Sequence, residues 1–570
     1  MAADSQIAID KREREVLVTR EDTGLSRRKY LAAVTALAGS PMLAGCAGDG
    51  DSGAQTGDGT ETGDGDGVAT DTASGEPRPG GHLRTSLVSP VNHFDLHING
   101  LMVASIVGYQ SVEKLFEPNT DLELVELLAT DVSISDDGLT WDITLREGAM
   151  FHPPYERELV AEDVVANFER ILDEDVGSFR SLVLSAVDSM EATGDYSLRL
   201  ELAEQQASLQ AGLGGYFGIP IFSPEAIEEG NIRKQPVGTG PFVFEEWTPE
   251  DQITLSAYDN YWTEDRPYVD QVTIRPIAEA SVLTTELTDG NLHMLHKTPA
   301  DFKSQLENDD SVTVHETDGL GYRALHVNPG STPTDGRANG LPTTDPQVRR
   351  AVLEAVNRTA MVEIIEGGLG TPTQNYFPDD HPWHVDYTPY TVEANPERAR
   401  ELIGESGFSE PVPITIISAS SDPVLQQLGT ITRDNLSQAG FEPDLTEYDI
   451  GTWVTEAEAF RYDVNVNYFA GWFHPDGLRA WIDPDGLTQM NYETENRDRI
   501  FELFDELNST TDKSEADPLN EELQQLMIDD AAYVPMYHPR KVRTTRNTVQ
   551  DFTVHPFHLA YRLDEVWLDE

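Results

Sequence analysis

The sequence predicts an α/β protein of two or three domains, and three observations carry this. The chain has 570 residues, too many for one ordinary core. Strand-like alternation and helix-like spacing of apolar residues follow one another along it instead of segregating into halves. Finally, Pro413 to Ser418, a helix running to Gly440 and a further strand make a βαβ unit, the building block of a lobe with parallel strands.

Charge narrows the class. Acidic residues number 101 against 39 basic, a formal net charge of −62. Phosphate needs a basic footprint, so no nucleic-acid partner is expected. Disorder is the other common home of such charge, but 38% of the residues are hydrophobic and aromatics are spread along the chain, so a core can form. The remaining reading is an acidic surface adapted to very high salt, where the Debye length shrinks to about 3 Å and self-repulsion is screened. An extreme halophile is the expected source. Cys46 is the one cysteine, so neither a disulfide nor a cysteine-based zinc site can form within the chain. No cofactor or metal is expected.

Residues 1–46 read as an address. Ser26-Arg27-Arg28-Lys29-Tyr30-Leu31 precedes an apolar run too short and too rich in small residues to span a bilayer well. It resembles a twin-arginine export signal. Leu43-Ala44-Gly45-Cys46 resembles a lipobox, in which Cys46 becomes a lipidated N-terminus. Residues 47–80 are Gly, Asp, Thr and Ser with almost no large apolar side chain, a disordered acidic tether.

The folded chain follows. His82 to Val88 reads as a strand, and Ser89 to Asn99 as a loop containing His93, Phe94 and Asp95. Val103 to Phe116 has helical spacing, Asp137-Gly138 is a hairpin turn, and Thr140 to Leu145 alternates as a strand. Val160 to Phe168 is a helix with Glu162 and Asp163 in its first turn, favourable to the dipole. Leu198 to Leu202 is a strand, and Leu213 to Ile221 is rich in glycine and aromatics. Gln235 to Trp262 is a hairpin: Gly238 and Gly240 are free to take positive φ in a tight turn, and Phe242 to Trp247 and Gln252 to Tyr258 alternate as strands. Later strands are Val272 to Ile277 and Tyr322 to Asn328; later helices are Ser281 to Leu287 and Asn395 to Ile403. Between them, His293 and His296 would fall on opposite faces of a strand, which disfavours a metal site. Leu519 to Tyr537 closes the pattern as a helix and a strand.

The wording of several of these stretches is similar to the family 5 extracytoplasmic solute-binding proteins, the peptide- and nickel-type receptors of ABC importers. Pro236-Val237-Gly238-Thr239-Gly240-Pro241 with Tyr261-Trp262, Asp137-Gly138-Leu139-Thr140-Trp141 with Phe151-His152, Asp345 to Arg358, and the closing segment carry the resemblance. It implies a periplasmic-binding-protein-like type II fold, with two lobes, a hinge and an extra subdomain inserted in the first lobe. The divisions expected are 81–120, 230–330 and 535–570 for lobe I, 121–229 for the inserted subdomain, and 331–534 for lobe II. The partners implied are a small, peptide-like solute, the ABC permease subunits and a membrane reached through the lipid at Cys46. The receptor is expected to be a monomer.

The resemblance also places the ligand. Tyr468 to Gly477 resembles the AGW..D stretch of peptide-binding members, where backbone near Gly471, Trp472, Phe473 and His474 would pair with an extended peptide. The acid that holds a peptide ammonium falls at Pro475, with Asp476 one residue later, and in a strand that slip would turn the side chain to the other face. Asp476 therefore also reads as the middle of a Pro-Asp-Gly turn. Phe94 lies in a loop that faces ligand in the family, and equally reads as a core aromatic. Where dipeptide-type members hold the carboxylate with an arginine, Ser418 to Pro423 has none; Ser420 and Asp422 stand there, and Asp422 would repel a carboxylate. A nickel or metal-chelate receptor would rest on His93, His381, His384 and His474, and a sugar receptor remains an alternative. An exported hydrolase finds no support in G-x-S-x-G, H-E-x-x-H or P-loop motifs. If the acidic surface is an adaptation to brine, circular dichroism should show partial unfolding on dialysis into low salt, reversed by molar potassium chloride.

Overall fold

One strand, Tyr533–Arg546, runs through both halves of the molecule and joins twelve strands into one sheet. The computed structural model describes residues 76–330, 340–484 and 490–569, so Cys46, the signal and most of the tether lie outside the described residues. In chain order the sheet contains β1 (His82–Leu87), β2 (Phe242–Thr248), β3 (Gln252–Ala257), β4 (Gln271–Pro276), β5 (Met294–Leu295), β6 (Val312–Asp318), β7 (Tyr322–Val327), β8 (Gly370–Pro372), β9 (Val412–Ala419), β10 (Phe441–Tyr448), β11 (Val464–Phe469) and β12 (Tyr533–Arg546). Their order is β10-β9-β11-β7-β12-β5-β1-β4-β3-β2, with β6 and β8 also paired to β12.

The two ends of β12 have different neighbours. Tyr533 to Tyr537 pair with β7, and Tyr537 to Pro539 with β8. Arg540 to Arg546 pair with β6, and Thr544 and Thr545 with β5. The chain therefore crosses between halves twice, at residues 319–321 between β6 and β7 and at Pro539-Arg540 within β12. We place the lobe boundary at these crossings. β7 and the start of β12 then belong with lobe II, because they pair with β11 and share its core with Tyr376, Leu428 and Phe504. The boundaries expected from the sequence, 330/331 and 534/535, would instead leave β7 with lobe I and cut β12 after its second residue. Parallel pairing of β9 with β10 and β11 is the expected βαβ unit, its helix being Pro423–Gln438.

The inserted subdomain has its own sheet of four antiparallel strands, ordered Ala129–Ile134, Thr140–Leu145, Ser197–Leu202 and Val187–Gly194. Helix Ala161–Leu172 covers it, and Trp141, Phe151, Phe168 and Leu200 form a separate core there. Asp163 accepts the Val160 N–H at 2.9 Å, satisfying a donor at the helix start.

The hairpin at Gln235 is a clamp. Neither Gly238 nor Gly240 has positive φ. They are required by space: a Cβ would lie 2.6 Å from the Ser111 carbonyl oxygen at Gly238, and 2.7 Å from that of Gln110 at Gly240. The Gly240 and Phe242 N–H groups donate to those two carbonyls at 3.1 and 3.0 Å. Thr239 Oγ1, Tyr261 OH and Trp262 Nε1 donate to the buried Glu113 carboxyl at 2.8, 3.0 and 3.0 Å. This explains why the helix expected over Val103 to Phe116 stops short. It spans Met102–Gly108, and the remainder is held as a loop by the hairpin.

Burial pushes the Glu113 carboxyl up to about 7, against the pull of its three donors. A folded pKa above the unfolded value means that stability is fully present below about 4.5 and is withdrawn as pH rises through 7. Glu113→Gln should therefore gain on the wild type by roughly 2–3 kcal/mol between pH 4.5 and 7.5, measured as the difference between the two proteins in denaturant unfolding at each pH.

Candidate functional site

β11 ends at Phe469, opposite Tyr322 at the start of β7, so residues 470–476 emerge beside the crossing at 319–321. Gly471 has φ 91°, and a Cβ there would lie 2.5 Å from the Leu320 carbonyl oxygen, so only glycine fits. The Trp472 indole lies on the bare face of Gly477, where a Cβ would come within 2.4 Å of the ring. Pro475–Trp481 is a 3₁₀ turn, and the His474 imidazole Nδ1 caps it by accepting the Asp476 N–H at 3.2 Å. The one-residue slip from the peptide-binding pattern thus falls in a turn and not a strand, and no face is flipped.

This turn meets the other half of the molecule. Trp472 packs 5.9 Å from Phe217 of the aromatic loop, which in turn contacts Tyr216 at 5.1 Å. Phe473 is buried against Gly215 and against Phe557, at 5.0 Å. Asp476 Oδ2 accepts the Ser208 hydroxyl at 2.9 Å, and the Ala207 N–H donates to the Asn508 carbonyl at 2.9 Å. Within this turn the Trp472 indole N–H and Asp476 Oδ1 are buried without a protein hydrogen bond of good geometry, the indole lying near the Tyr322 hydroxyl. His381 and His474 line the same region, 6.4 Å from Phe473 and 5.0 Å from Trp383. Burial pushes their imidazoles down, to about 3 and about 4, so both are neutral at pH 7.

The remaining candidates go elsewhere. Phe94 has no exposed surface; it packs edge-to-face on Phe244 and Trp247 at 4.8 and 5.1 Å, which leaves it nothing to offer a solute. Ser420 Oγ donates to the Tyr448 carbonyl at 2.9 Å and stays at the end of β10. Asp422 caps helix Pro423–Gln438, accepting the Val424 and Leu425 N–H groups, and its other oxygen accepts the Tyr468 hydroxyl at 3.1 Å. Its charge is held by these donors instead of standing open to a ligand. His93 lies in the first lobe, near Asp95 and Arg233, away from the other histidines of the metal reading.

Residues beyond the expected set complete the seam. Arg323 stacks on Tyr468 and Tyr537 at 5.2 and 5.8 Å and donates to Glu366 at 2.8 Å. Burial alone would raise the Glu366 carboxyl, but Arg323, Lys297 and the Tyr537 hydroxyl prevail and hold it below its ordinary value. His558 packs 5.7 Å from Tyr216. The aromatic loop and the run His538-Pro539-Arg540-Lys541-Val542-Arg543 were visible signals. The second is a concentration of bases in a chain where acids outnumber them.

Comparison with known proteins decides the family. The profile of bacterial extracellular solute-binding proteins, family 5 Middle, matches residues 123–485. The chain belongs to this family. It is an extracytoplasmic binding protein, not an enzyme. The glutathione-binding protein GsiB of Pectobacterium atrosepticum is 25% identical over 465 residues, covering 80% of this chain and 88% of the relative. Among solved structures, DppA of Helicobacter pylori in complex with the peptide STSA superposes with a TM-score of 0.71 at 23% identity, covering 86% of this chain and 99% of that one. NikA of Brucella suis in complex with Fe(III)-EDTA gives 0.75 at 18%, covering 86% and 100%. At these identities the structural likenesses establish the fold, and the family 5 protein has the two-lobed α/β architecture with the extra antiparallel subdomain.

Proposed function

We propose that this family 5 protein is the receptor of an ABC importer and captures an oligopeptide-like solute between its lobes, then delivers it to a membrane permease. The observation that carries the peptide reading is the Gly471–Asp476 turn. On this reading the turn borders the path of an extended chain between the lobes, and it carries a buried indole N–H and a buried carboxylate oxygen that lack protein hydrogen bonds of good geometry. A donor and an acceptor of this kind suit a peptide carbonyl and ammonium. The contacts of Asp476 with Ser208, Trp472 with Phe217, and Phe473 with Phe557 are the ones that opening the lobes would break. Relatives known to bind glutathione and a peptide favour the same class. Twin-arginine export and a lipid at Cys46 would hold the receptor at the outer face of the membrane, the tether giving it reach to the permease.

Mass spectrometry of the natively purified protein should find a peptide-like solute; a sugar or a metal chelate alone would overturn the peptide reading. In high salt, peptides should raise the melting temperature of the wild type, and Trp472→Ala should abolish that shift while leaving the ligand-free melting temperature within a few degrees. An undiminished shift would remove Trp472 from the site. Cys46→Ser protein should appear in the soluble fraction after export, and its retention on membranes would exclude the lipid anchor.

A further inference from the structure

The walls of the seam between the lobes are aromatic, but its floor is basic, against the balance of the whole chain. Lys541 sits on β12 just past the crossing and pairs with Thr317 of β6. Its stem passes over the crossing turn, close enough that a Cβ on Gly319 would lie 3.0 Å from Cε. Side chains alternate along a strand. Arg540 therefore turns to the opposite face, where it meets Asp318 at 3.2 Å and Glu316 at 3.6 Å. The acids of β6 are engaged there, and Lys541 faces inward.

Lys541 is half-buried, and its ammonium has no hydrogen bond or ion pair among the described residues. Arg323, Lys297 and Arg543 are near enough to repel it; the attraction comes from Glu366, which already accepts from Arg323 at 2.8 Å and from Tyr537 at 3.2 Å. Arg543 is 3% exposed. Its Nε donates to the His296 carbonyl at 3.1 Å and its guanidinium lies over Tyr561 at 4.4 Å, while Nη1 is buried without a partner. His558 is 5% exposed, and its Nε2 is likewise buried and unpartnered. The two unsatisfied nitrogens and the unpaired ammonium, from β12 and the C-terminal segment, thus belong to side chains close enough to act on one another's charge, and His558 adjoins Tyr216 of the aromatic loop. Leaving such groups unsatisfied is costly unless something else completes them.

We propose that this cluster is an oxyanion subsite, in which Lys541 Nζ, with Arg543 Nη1 and His558 Nε2, receives the carboxylate of the solute held between the lobes. The inference rests on the solute-receptor reading above and names the end of the solute that reading leaves open. It supplies by another route the cation that Ser418 to Pro423 lacks. Burial and the repulsion of Arg323 and Lys297 push the Lys541 ammonium down to about 7. An arriving carboxylate relieves that repulsion and forms charge-assisted hydrogen bonds, among the strongest polar contacts a protein makes.

Tetraalanine and its C-terminal amide, titrated calorimetrically in molar potassium chloride, separate the possibilities. The acid should bind wild type at least about tenfold more tightly than the amide. Lys541→Met should abolish the preference, and Lys541→Arg should keep it. Equal binding of acid and amide by wild type, or a preference unchanged in Lys541→Met, overturns the subsite. If neither peptide binds, the oligopeptide reading fails, and crystals grown in sodium bromide decide the subsite alone. An anomalous peak in contact with Lys541 Nζ, absent from Lys541→Met, supports an anion site, and no peak there overturns it.

Discussion

The backbone ladder of β12 is the constraint on which the rest of the structure depends. The strand is bonded to lobe II strands at one end and to lobe I strands at the other, so both lobes inherit their relative placement from one continuous row of peptide groups. Peptide groups buried in a sheet must be paired, which forces β6 and β7 to meet it end to end and puts the first crossing at 319–321. That turn in turn fixes Gly471, which has room for no side chain beside Leu320. The turn at Gly471 and the crossing at 319–321 are thus packed as one unit, with Trp472 and Lys541 beside it.

A second constraint is the division of charge. The surface is overwhelmingly acidic, yet the seam at the crossing gathers Arg323, Lys541 and Arg543 around one committed acid, Glu366. Surface acids are screened by concentrated salt, whereas groups in a closed, partly dry seam are screened much less. The local field of the site is therefore set by its own few side chains and not by the net charge. The same principle governs Asp422. Read along the chain it looked like a repulsive charge, but a carboxylate that caps a helix and accepts a tyrosine hydroxyl offers little charge to a ligand.

The hairpin at Gln235 acts on architecture. Its glycines and its Thr, Tyr and Trp donors hold residues 110–113 out of helical conformation through Glu113. Glu113 itself, inside an apparently helical run, gave no sign of this, because its partners lie more than a hundred residues away. Local periodicity favoured a longer helix, and a buried carboxyl with three donors outweighed it.

By itself the sequence determined the α/β class, the order of most elements and the family, because these follow from apolar periodicity and from motifs contiguous in the chain, and the extra subdomain came with the family resemblance. It also pointed to Gly471, Trp472 and Asp476, which lie in one short turn. Tertiary structure decided the rest. Phe94 could be core or ligand-facing until Phe244 and Trp247 closed over it. Arg323, Glu366, Lys541 and His558 are scattered over more than two hundred residues and meet only because β7 and β12 lie side by side. The closing strand was legible to Tyr537 but runs on to Arg546. The sequence carried no boundary there, because what distinguishes the two halves of β12 is which strands pair with it.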